Sequence, residues 1–213
     1  MNNTTVGIVG LSITIFFILG FASLFIYNPQ TIEEVNNVTT IASFNITGMN
    51  GRWLAAYIIY LMIGLLNLTF VFGLFRMSKN DTPIIIGKIL ILIAGLTWTS
   101  FGIIPWDPYS DTDIHTVIIR VIAMIIVIPV GLIFIAIEFK KMIKDKFLKY
   151  YTLTTGLIIL IMGILSLFVF NDQTFIRTNI SLVIYFLWFG VFGLRLLQIR
   201  NGQEGLQTKS TSS

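Results

Sequence analysis

Apolar residues in this chain do not alternate or recur at one helical spacing; they run continuously, and polar residues cluster between the runs. A helix crossing the hydrocarbon of a bilayer needs about 20 mostly apolar residues. Six runs meet that length: Val6–Tyr27, Trp53–Phe75, Ile84–Ile104, Thr116–Ile137, Tyr151–Phe170 and Ile180–Gln198. The pattern predicts an all-α, polytopic bundle of six transmembrane helices over residues 1–200, followed by a polar tail, 201–213, expected to be disordered. The first run has no Lys or Arg before it and is too long for the apolar core of a signal peptide, so it is expected to remain as a span.

Charge fixes the expected orientation. With six spans, Arg76, Lys79, Lys140, Lys141, Lys144, Lys146, Lys149, Arg195, Arg200 and Lys209 fall on one face, and only Arg52 and Arg177 on the other. Positive residues mark the cytoplasmic side, so both termini are expected there and the protein in the cell membrane. Aromatic residues fit the same map, with Tyr27, Trp53, Tyr57, Trp106 and Tyr109 near the outer boundary and Tyr150 and Tyr151 near the inner one.

Composition narrows the function classes. Of 213 residues, 55% are hydrophobic and only 11% charged, with a mean hydropathy of +0.88; a soluble domain carries about a quarter charged residues. The net charge of +4 is dispersed along inner loops, which argues against a nucleic-acid partner. With no cysteine and one histidine, one chain supplies no thiolate zinc site, iron–sulfur cluster or two-haem site. No cofactor is expected, although a divalent cation has candidate ligands, described below.

The inner stretch Phe139–Tyr150 places Phe139, Met142, Ile143 and Phe147 at helical spacing among five lysines. Such a turn attracts anionic inner-leaflet lipid, at about 1 kcal/mol per basic residue; the plainer reading is that the lysines only set topology. Within the spans, Lys88 lies about four residues from the inner end, on the order of 6 Å along a helix. Its stem is expected to snorkel to the interface. Asn67, Thr69, Thr97, Thr99, Ser100 and Ser166 are expected to hydrogen-bond between helices, and Gly7, Gly10, Gly190 and Gly193 to let helices approach closely.

The densest polar constellation lies between the third and fourth spans, where Pro105, Trp106, Asp107, Pro108, Asp111, Asp113 and His115 occur without a Lys or Arg. Capping of the fourth helix by Ser110 or Asp111 accounts for part of it. The same atoms offer chemistry. Asp107, Asp111, Asp113 and His115 suit a hard or borderline cation, and His115 with Asp107 suits acid–base catalysis. Arg120, one turn inside the fourth span, and Arg52 with Trp53, at the outer start of the second, suit an anionic headgroup if those helices pack alongside. Gly102, Pro105, Asp107 and His115, spaced across a helix end and the start of the next, resemble the prokaryotic integral membrane family known as domain of unknown function 998. That resemblance implies six helices and a polar outer site, and brings no reaction with it.

The expected function is therefore non-enzymatic: an outer polar pocket binding a lipid headgroup, small solute or partner. The alternative is a membrane-embedded hydrolase or transferase acting on outer-leaflet lipid through His115 and Asp107. Neither a protein partner nor self-association is specified by the residues.

Overall fold

A computed structural model describes residues 3–27, 53–77, 82–104, 126–137, 139, 143, 145–168 and 174–210. Its elements are α1 (Asn3–Tyr27), α2 (π-helical over Leu54–Met62, then α-helical over Ile63–Met77), α3 (Thr82–Ile103), α4 (Ile126–Ile137), α5 (Lys146–Phe168) and α6 (Thr174–Ser210). All described secondary structure is helical, as expected, because a segment in hydrocarbon must satisfy its backbone internally. Five of these helices are long and apolar enough to cross a membrane. Within the fourth expected span, only Ile126–Ile137 is described. α5 begins five residues before the expected boundary, at Lys146, since Asp145 caps it: the Leu148 N–H donates to Asp145 Oδ1 at 2.9 Å. At the other extreme, α6 continues as helix beyond Gln198 to Ser210, into the segment expected to be disordered. Each added residue contributes one backbone bond once a helix is nucleated.

Consecutive helices pack antiparallel. The α1–α2 contact pairs Gly20 with Ile59 and Gly10 with Phe70, and α2–α3 pairs Gly64 with Thr99 and Ala56 with Gly102. Gly87 and Ile91 of α3 face Ile135 and Gly131 of α4, and Pro129 and Leu132 of α4 face Gly156 of α5. α6 returns beside α1, where Gly193 meets Gly7 and Gly190 meets Thr14. The start of α1 and the Arg195 end of α6 thus share one end of the bundle. Arg76, Lys88, Lys146 and Lys149 lie toward that same end, called the basic end below.

The α1–α6 seam realises the small-residue expectation. A methyl group on Gly7 would lie 2.9 Å from the Gly193 carbonyl oxygen, and one on Gly10 would lie 2.7 Å from that of Phe189, so only hydrogen fits. Thr14 adds a bond across the seam, its hydroxyl donating to the Phe186 carbonyl at 2.6 Å.

α6 supplies the centre of the bundle. Tyr185, Phe186, Trp188, Phe189 and Phe192 are all buried, and their rings meet Phe17 of α1, Phe70 of α2, Trp98 of α3 and Phe139 beyond α4. Edge-on pairs such as Phe70–Phe189, 4.9 Å apart at 82°, set the positive ring edge against the negative face and contribute about 0.5–1.5 kcal/mol each. Because lipid tails are as apolar as these side chains, such close packing, rather than expulsion of water, holds the helices together.

Candidate functional site

Trp53 is the one expected outer-site residue that the structure describes. Arg52, Asp107, Asp111, Asp113, His115 and Arg120 lie outside the described residues, and with them the candidate catalytic pair and the candidate cation ligands. Trp53 heads α2 in helical conformation and is half exposed. Three residues on, the Ala56 carbonyl oxygen would lie 2.6 Å from a methyl group on Gly102. The start of α2 and the end of α3 are therefore in backbone contact, and Gly102 is required for it. α2 thus packs alongside α3 where Trp53 heads the one and Gly102 lies at the end of the other.

The neighbouring stretch of α2 is π-helical. Its wider turn presents the Ile59 carbonyl sideways, where the Trp98 indole N–H donates to it at 2.7 Å. π-Helical turns are rare and occur frequently at functional sites. Here the turn ties α2 to α3 just inside the outer expected rim.

At the basic end a second polar site is fully described. Asp145, the only carboxylate among the residues whose side chains are described, sits between α4 and α5 with its side chain 7% exposed. Its Oδ2 accepts from Arg195 Nε at 2.8 Å, and Arg195 Nη1 donates to Gln198 Oε1 at 3.1 Å. The guanidinium also lies 6.0 Å from the Phe147 ring centre, a cation–π distance. Burial alone would raise the Asp145 pKa, but the Leu148 N–H and the Arg195 guanidinium override it and hold the carboxyl below its ordinary value. Arg195 itself is 41% exposed. Beside it an open cavity of about 430 Å³ is lined by Phe147, Val191, Leu194, Arg195 and Gln198.

In the middle of the bundle the polar groups are neutral. Asn67 Nδ2 donates to Tyr185 Oη at 2.9 Å, and the Trp188 indole to Thr152 Oγ1 at 2.9 Å. Asn67 Oδ1 and Tyr60 Oη are buried without a partner. Thr69, Thr97, Thr99 and Ser100 do not bridge helices as expected. Their hydroxyls donate back to Leu65, Ile93, Gly95 and Thr97 carbonyls of their own helices, because a one-turn reach satisfies a short hydroxyl without aligning two helices. Ser166 lies outside the described side chains.

One basic-end expectation is corrected. Lys88 does not snorkel: it is fully buried, with its ammonium 5.0 Å from the Phe75 ring centre. With no exposed surface left on its side chain, protein rather than water surrounds it. Phe139 is buried against Phe192, whereas Phe147 is exposed; Met142 lies outside the described residues.

Sequence reasoning counted Arg195 and Lys146 only as topology markers and did not single out Asp145, Gln198 or Thr14. Asp145 carries a local signal, a capping residue directly before an apolar run. Its pairing with Arg195, fifty residues away, has no local signal. No family model, curated protein or solved structure matches the chain.

Proposed function

We propose that this chain is a six-span protein of the cell membrane, both termini cytoplasmic, that acts by binding rather than catalysis. Its outer rim, built from Arg52, Trp53, Asp107, Asp111, Asp113, His115 and Arg120, takes a lipid headgroup, a small solute or a partner. The observation that carries this reading is the contact of Gly102 with Ala56. It sets the Trp53 start of α2 beside the Gly102 end of α3, which supports a rim shared by the residues that flank those two helix ends in sequence. The even, alternating direction of the helices supports six crossings, with α4 running opposite to α3 and α6 opposite to α1. The aromatic filling of the middle favours a rim function over passage of a solute, which requires a polar site near the midplane. The likeness of Gly102, Pro105, Asp107 and His115 to domain of unknown function 998 belongs to the same proposal, as does recruitment of anionic inner-leaflet lipid near residues 139–150.

The test is mass spectrometry of lipid and metal that co-purify with the full chain. Asp107→Ala and His115→Ala are expected to lose the bound species at unchanged expression. If both variants only lower abundance, the segment is a helix connector and the reading fails. Orientation is checked on the same preparation: with no native thiol, Ser110→Cys should react with an impermeant maleimide from outside and Lys144→Cys should not, and the reverse labelling would overturn the assignment.

A further inference from the structure

We infer that the groove between α5 and α6 at the basic end is a binding site for one anionic phospholipid, with Arg195 on the phosphate and the apolar wall under an acyl chain. The inference deepens the proposed lipid recruitment near residues 139–150 and rests on that orientation; it assigns the recruitment to a defined cleft instead of a diffuse lysine cloud.

Three features of the cleft match a phospholipid in particular. The first is a cation fixed in place. A guanidinium has five donors, and Arg195 spends one on Asp145 and one on Gln198. Asp145 is itself held by the Leu148 N–H, so the fork is oriented before any ligand arrives, and little freedom is lost on binding. Asp145 does not line the cavity, so an incoming anion meets the guanidinium and the Gln198 amide rather than the carboxylate.

The second feature is charge balance. The stretch from Phe139 to Tyr150 carries five lysines against Asp145, and that aspartate is already committed to Arg195 and the α5 cap. Lys146 is exposed and Lys149 half-buried in the first turn of α5. A zwitterionic headgroup leaves this excess uncompensated, whereas an anionic one does not.

The third is shape. The remaining wall consists of Phe147, Val191 and Leu194, with Phe147 and Leu194 exposed, and Leu187 continues the exposed apolar strip of α6 toward the middle of the bundle. A cationic fork with an apolar strip running inward from it reproduces the order of groups in a lipid. Inorganic phosphate gains nothing from the strip.

The experiment uses the full chain in detergent micelles doped with dioleoyl phosphatidylglycerol or dioleoyl phosphatidylcholine, and counts retained lipid by native mass spectrometry. Phosphatidylglycerol should be retained about tenfold more strongly, the effect expected of a charge-assisted contact. Arg195→Gln should bring that selectivity close to one. Since this variant leaves Asp145 without its cation and is at risk of misfolding, Leu194→Trp serves as the second probe. It fills the groove, keeps the ion pair, and should lower retention of both lipids. Arg76→Gln, at the same end but outside the groove, should leave selectivity unchanged.

Equal retention of the two lipids by the unaltered chain would overturn the inference. So would selectivity that survives Arg195→Gln, retention that Leu194→Trp leaves unchanged, or displacement of phosphatidylglycerol by equimolar inorganic phosphate. The outer-rim reading is judged by Asp107→Ala and His115→Ala at the opposite expected end, so either can fail while the other stands.

Discussion

The middle of the bundle and its basic end handle polar groups in opposite ways. In the middle, polar atoms are uncharged and enclosed by rings, as where Asn67 meets Tyr185 or Trp188 meets Thr152. At the basic end, Arg195 is ion-paired yet 41% exposed, with donors to spare and an open cavity at its side. A neutral hydrogen bond between membrane helices contributes about 0.6 kcal/mol and little more than alignment. A pre-oriented guanidinium with an open cavity at its side has donors left for a further partner. The contrast locates structural duty in the middle and leaves the proposed recognition to the ends.

The sharpest way to break this contrast is to remove a central ring. Trp188→Ala should destabilise the bundle by about 3–5 kcal/mol, through the cavity it leaves and the loss of the Thr152 bond, as read from denaturant titration in micelles. If it costs less than an exposed substitution, the middle is not the structural half. Next in size, Gly193→Val should cost about 2–3 kcal/mol, because its new carbon atoms meet the Gly7 carbonyl and the Leu11 N–H across the α1–α6 seam. The same titration measures it.

At the basic end smaller numbers are expected. Asp145→Ala should cost about 1–2 kcal/mol, mostly through the lost cap of α5, since a half-exposed ion pair adds little. The pH dependence has a definite sign. The Asp145 pKa is lowered on folding, so its contribution is complete above the unfolded carboxylate pKa and is lost as pH falls through the folded value. Thermal melts taken on acidification should show that loss, and Asp145→Asn should flatten it. Smallest of all, Tyr60→Phe should be neutral or stabilising by up to about 1 kcal/mol, because the hydroxyl it removes is buried without a partner. A clear destabilisation would reveal a partner for that hydroxyl and redraw the middle as a polar site.

How much of this was legible in the sequence depends on whether the signal is local. Helix positions were, because long apolar runs admit little but spans in a bilayer. The meeting of Gly7 and Gly10 with Gly190 and Gly193 was half legible: small residues announce close approach, but not the partner. Lys88 misled because depth along a helix says nothing about which face is walled in by a neighbour. Arg195 with Asp145 was missed for the same reason, since two residues fifty positions apart meet only through the antiparallel pairing of α5 and α6. The π-helical turn before Ile63 carries no compositional mark.

One consequence follows from where the aromatic side chains reside. Phe70, Trp98 and Phe17 find their ring partners on α6, the helix that comes after all the others in chain order. During synthesis the earlier segments enter the lipid before their keystone exists, so their mutual alignment stays provisional until α6 is threaded among them. Maturation of the bundle is then completed late, and a chain halted before Ile180 would keep the α1–α2 and α2–α3 contacts but lack the rings that fill the space among them.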